Sequence, residues 1–135
     1  MKDSFTEEER KDIINYRLKR SHETLHAADV MINAEEFHSA VNRLYYACYY
    51  ALSALLIKYK INTGTHHGAK SRFGEHFIMT GRIEKKYSIF YSQLFNSRNE
   101  GDYDDFVYFD QETVTDYRTR AKEFLEVIER NIHNL

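Results

Sequence analysis

The chain has 135 residues, 42% of them hydrophobic and 30% charged, with a formal net charge of −2. That balance excludes a disordered chain and a uniformly basic nucleic-acid binder, and the length suits one domain over 1–135 with its core at about 7–132. With no Pro, no Trp and five Gly, it has too few turn formers for an all-β fold, and long helices are expected instead.

In chain order, the first helix is expected over 7–33. Thr6 stands as N-cap and Glu9 at N3, a capping box, and Ile14, Leu18, Ser21, Leu25, Ala28 and Ile32 recur at helical spacing. The second runs from 34 or 35 to 59. Phe37, Val41, Leu44, Cys48, Ala51 and Leu55 form its stripe, and Tyr45, Tyr46, Tyr49, Tyr50, Leu52 and Leu56 fill much of the remaining circumference. A helix apolar nearly all round is central and buried on several sides.

Residues 60–68 read as a loop. A third helix follows over 69–80, with Phe73 and Phe77 inward and Gly81 as its C′ residue. The fourth covers 83–98, with Tyr87, Tyr91, Leu94 and Arg98 on its inner face and Gly101 as its stop. The last covers 113–132, striped by Val114, Tyr117, Ala121, Phe124, Ile128 and Ile132. The fold class is all-α.

The acidic N-terminus lacks the apolar core of a signal peptide, and the uncharged run 44–57 is shorter than the roughly 20 residues a membrane span needs. No membrane association is expected. The single Cys48 excludes an internal disulfide and a Cys-rich zinc site, and fits a reducing, cytoplasmic setting. No Gly-rich phosphate loop, nucleophile elbow or dinucleotide fingerprint is present, so no cofactor or metal is expected.

Charge is uneven. Residues 58–86 carry Lys58, Lys60, Lys70, Arg72, Arg82, Lys85 and Lys86 against Glu75 and Glu84, a net of +5. Residues 99–117 carry only acidic charge. The basic segment, with His66, His67 and His76, is either a solvated face or a surface for phosphates.

Two arginines sit where a bundle wants apolar residues. Arg98, on the inner stripe of the fourth helix, needs a carboxylate, a helix carbonyl, solvent through a cleft or an anionic ligand. Arg43, among Asn42 and the tyrosines of the second helix, suits a structural pair with Asp102 or another carboxylate.

The segment Val41-Asn42-Arg43-Leu44-Tyr45-Tyr46-Ala47 resembles the central-helix signature of the HEPN domain (higher eukaryotes and prokaryotes nucleotide-binding). Thr65-His66-His67-Gly68 with Phe73, Phe77 and Gly81-Arg82-Ile83 is similar to the loop, helix and turn that follow it. Arg98-Asn99-Glu100-Gly101-Asp102-Tyr103 resembles the family's arginine motif, and Ala121-Lys122-Glu123-Phe124-Leu125 its final helix. The likeness spans roughly 12–130.

This resemblance implies an up-and-down four- to five-helix antiparallel bundle, commonly a homodimer. Many HEPN proteins are metal-independent endoribonucleases with an Arg-x4–6-His motif; others bind RNA or nucleotides without cleaving, and small ones often partner a minimal nucleotidyltransferase in toxin–antitoxin pairs. Here Tyr103 stands four intervening residues past Arg98, followed by Asp104 and Asp105, and no His occupies the window. A tyrosine of pKa about 10 is a poor base near neutrality.

The reading that follows is an RNA- or nucleotide-binding interaction protein, working with a nucleotidyltransferase partner, whose ligand-binding residues are Arg43, His66, His67, Arg98, Asn99, Asp102 and Tyr103. The alternative is an endoribonuclease toxin in which Arg98 and Tyr103 are catalytic.

Overall fold

The computed structural model describes residues 4–103 and 108–133, with side chains described up to Arg98 and again from Tyr108. The fold is all-α: α1 (Glu7–Asn33), α2 (Phe37–Lys58), α3 (His66–Phe73), α4 (Lys85–Tyr103) and α5 (Gln111–His133), with α3 continuing into a π-helical turn (Gly74–Ile78).

Helix α1 begins as its sequence dictates. Thr6 accepts from the Glu9 amide at 3.1 Å, and Glu9 accepts from the Thr6 amide at 2.9 Å. Thr6→Ala is expected to lower stability by about 1 kcal/mol, read as a reduced urea midpoint at unchanged slope.

Helix α2 lies at the centre, packed against α1, α3, α4 and α5. Its stripe from Val41 to Leu55 is buried together with Tyr45, Leu52 and Leu56, whereas Tyr46, Tyr49 and Tyr50 are half-buried. All six stripe residues of α5 are buried, as are Ile14, Leu18, Ser21, Leu25 and Ala28 of α1. Arg118 of α5 holds Asp29 of α1 through two hydrogen bonds, at 2.8 and 3.0 Å. At the other end of α1, the Arg10 guanidinium donates to the Ile57 carbonyl at 2.8 Å.

The turns around α2 are made without glycine. Glu35 and Lys60 adopt φ of 58° and 60°. Each stands two positions past the last residue of a helix and closes it with paired bonds: Glu35 N to Ile32 O and Glu36 N to Met31 O, then Lys60 N to Ile57 O and Ile61 N to Leu56 O. This is the Schellman arrangement, normally given to Gly because a Cβ is crowded there. It places the start of α2 at Phe37 rather than at 34 or 35. Gly81, at φ 77°, follows the sequence expectation.

Other boundaries differ too, among them the starts of α4 at Lys85 and α5 at Gln111. Helix α3 starts at His66, not 69, because the Thr65 hydroxyl accepts from the Gly68 amide at 2.8 Å and caps the helix there. A Cβ at Gly68 would lie 2.7 Å from Thr63 Oγ1 and 2.9 Å from Thr65 Oγ1, so this position excludes a side chain unless the cap shifts. Helix α4 runs through Gly101 to Tyr103; one internal glycine costs only about 1 kcal/mol relative to Ala.

Candidate nucleic-acid interface

The early start of α3 carries His66 onto the tyrosines of α2. His66 Nδ1 lies 2.8 Å from Tyr45 Oη, and its ring stacks on Tyr49 with centroids 4.0 Å apart and planes 24° apart. Tyr46 meets the same imidazole edge-on at 5.6 Å. Behind Tyr45, Tyr91 Oη donates to Tyr45 Oη at 3.4 Å.

From α4, Arg98 reaches the same rings. Its guanidinium carbon lies 4.8 Å from the Tyr45 centroid, 5.7 Å from Tyr46 and 6.0 Å from Phe95. A guanidinium over aromatic faces is held by their quadrupoles and needs no complete burial. Phe95 also gathers Lys70, whose Nζ is 4.8 Å from the ring, and His67, at 6.1 Å. Arg43 covers Tyr46 from another side at 5.2 Å. Four cationic or titratable positions expected from the sequence therefore converge: Arg43, His66, His67 and Arg98.

Arg43 differs from expectation in its partner. Its guanidinium donates to Asn42 Oδ1 at 2.8 and 3.2 Å, not to a carboxylate among the described residues. It is half-buried and lines a surface groove with His38 and Asn42. Asn99, Asp102 and Tyr103 fall on the last turns of α4, and their side chains lie outside the described residues, as do Asp104 and Asp105 entirely.

The family follows from comparison. The sequence model of the HEPN domain matches residues 14–131. The chain belongs to the HEPN domain family. It is 39% identical over 127 residues to a "UPF0332 protein" of Thermotoga maritima, covering 94% of this chain and 96% of that one. It is 30% identical over 87 residues to a "Putative toxin" of Methanocaldococcus jannaschii, covering 64% of this chain and 59% of that one. A second "Putative toxin" of the same organism is 33% identical over 81 residues, covering 60% of each chain. The match spans about three fifths of the length of those two relatives.

Within this HEPN fold, burial first and Arg98 second hold the His66 imidazole below the usual histidine value, which favours its neutral form. Burial pushes the Tyr45 phenol up to about 12, against the opposing pull of Tyr91 and Arg98, so it keeps its proton at any working pH. Among the described residues no helix is long and apolar enough to cross a membrane.

The depressed His66 has a consequence for stability. Between its folded value and the ordinary value of about 6.5, the unfolded chain binds more protons than the native HEPN domain. Its contribution is therefore complete above about pH 6.5 and is lost as pH falls below that value. The urea midpoint is expected to drop between pH 7 and pH 5, and to drop less in His66→Gln.

The residues missed by periodicity are Tyr45, Tyr46 and Tyr49 as site groups, with Phe95, whereas Lys70 belongs to the basic 58–86 segment already weighed as a surface for phosphates. Lys70 also lies four residues after His66, on the same face of α3. A larger groove, about 550 Å3, lies between the start of α1 and the ends of α2 and α5, and shares no lining residue with the Arg98 cluster.

Proposed function

We propose that this HEPN protein binds RNA or a nucleotide against the face formed by Arg98, His66 and the α2 tyrosines, and acts as a homodimer with a nucleotidyltransferase partner in a toxin–antitoxin-type system. The observation that carries the reading is that Arg98 and His66, 32 positions apart in sequence, rest on the same two rings, Tyr45 and Tyr46. A phosphate needs fixed positive charge and N–H donors, which Arg98 and His66 supply, and unpaired bases need aromatic faces, which the half-buried Tyr46 and Tyr49 supply over the buried Tyr45. The relatives named as toxins support the system-level part of the reading.

The residue types at the motif favour binding over cleavage. Tyr91 donates to Tyr45, and His66 Nδ1 shares a hydrogen bond with the same hydroxyl, the donor set by the imidazole tautomer. Arg98 and Tyr103, in place of an arginine–histidine motif, provide no base near neutrality.

A second reading rests on the same proximity. His66 brings an imidazole to an arginine motif that has none in sequence, which suits a metal-independent endoribonuclease. The two readings separate in a metal-free assay on mixed single-stranded RNA. Binding with slow or absent cleavage, raised by Tyr103→His, is the expected result. Robust wild-type cleavage lost in both Arg98→Ala and His66→Gln establishes the ribonuclease instead. Sedimentation as a monomer at high micromolar concentration overturns the homodimer.

A further inference from the structure

A groove of about 400 Å3 lies beside the Arg98 face, walled by α1, α2 and the 61–63 segment. Tyr49 belongs to both: it stacks on His66 and also lines the groove, where it is joined by Phe5, Tyr16, Arg17 and Ser53. The volume falls within the roughly 300–1,000 Å3 of small-molecule sites. Its aromatic surface is open, since Tyr16 is 60% and Phe5 46% exposed. No acidic side chain lines it, so nothing in the wall repels a strand that carries phosphates.

The polar group is fixed. Arg17 donates through Nη1 to Ser53 Oγ at 2.9 Å, which ties the guanidinium of α1 to α2. A guanidinium has five N–H donors in a planar fork, and among the described residues Arg17 is matched with no carboxylate. Aromatic walls with one anchored fork are what an unpaired base requires: a face to stack on and donors for its edge.

We propose that this groove takes one unpaired guanine-type base of a strand whose phosphate lies at Arg98, with Arg17 donating to the adjacent O6 and N7 acceptors. The inference rests on the nucleic-acid reading above and extends it from phosphate contact to base choice. Adenine presents a donor, N6–H, next to N7, and so meets the Arg17 fork with like against like.

Nucleosides test the groove without a phosphate. Inosine, which carries the same O6 and N7 acceptors and dissolves well, is titrated against adenosine by NMR on isotopically labelled protein. Inosine is expected to shift the Arg17 guanidinium and Tyr49 ring signals and to bind about tenfold tighter than adenosine. Arg17→Met and Arg17→Lys, both checked for native helix content, are expected to remove that preference, since lysine keeps the charge but not the fork. No inosine binding, equal affinity for the two nucleosides, or shifts mapping away from Arg17 and Tyr49 overturns the proposal, whatever RNA does. Inosine binding as expected, with RNA insensitive to Arg98→Ala, leaves the groove standing and fells the phosphate reading instead.

Discussion

Phe124→Ala is expected to destabilise the protein by about 3–5 kcal/mol, the range for removing a large aromatic from a close-packed core. Phe124 is fully buried. Its ring stacks on Tyr91 at 5.5 Å and 23°, and meets Phe73 edge-on at 5.7 Å. It thus joins α3, α4 and α5 at one point. Domains of this kind are stable by only about 5–15 kcal/mol in total, so the variant sits near its unfolding threshold at 37 °C. Phe124→Leu, which retains most of the volume, is expected to cost less. Urea unfolding checks both; a loss under 1 kcal/mol in the alanine variant contradicts the packing described.

Arg98→Ala is expected to weaken binding of a single-stranded ribo-oligonucleotide roughly ten- to hundredfold, because a hydrogen bond to a charged group contributes about 1.5–3 kcal/mol. Arg98→Lys is expected to recover little. The guanidinium carbon lies 4.8, 5.7 and 6.0 Å from the Tyr45, Tyr46 and Phe95 ring centres, and an ammonium in its place does not fork to two phosphate oxygens. Fluorescence polarisation at two salt concentrations measures the loss and its electrostatic origin: the variant should also show a shallower dependence on salt. A change below threefold at low salt removes Arg98 from the interface.

The helical stripes were legible because burial follows side-chain periodicity, and every stripe residue of α5 from Val114 to Ile132 is buried. The boundaries were less so, each for a local reason. At Glu35 the backbone takes a glycine-like φ without a glycine, so no residue type marks the turn. At Gly101 the residue type marks a stop that α4 ignores. At Thr65 a hydroxyl cap turns an apparent loop into the first turn of α3. Arg98 and His66 stood out as candidates, but their meeting depends on that cap and is invisible at a separation of 32 residues. The tyrosines were hidden differently. Periodicity registers Tyr45, Tyr46 and Tyr49 as apolar circumference and cannot separate a ring in the core from one that fronts a cleft.

The clustering of these rings also makes the protein its own optical reporter. Of its 11 tyrosines, and with no tryptophan to mask them, Tyr45, Tyr46 and Tyr49 surround His66, while Tyr45 and Tyr46 also carry Arg98. Three of the eleven tyrosines thus report on the proposed interface, and a ligand that displaces Arg98 or restacks Tyr49 should change their emission near 300 nm without any attached dye. Engineered fluorophores are unnecessary.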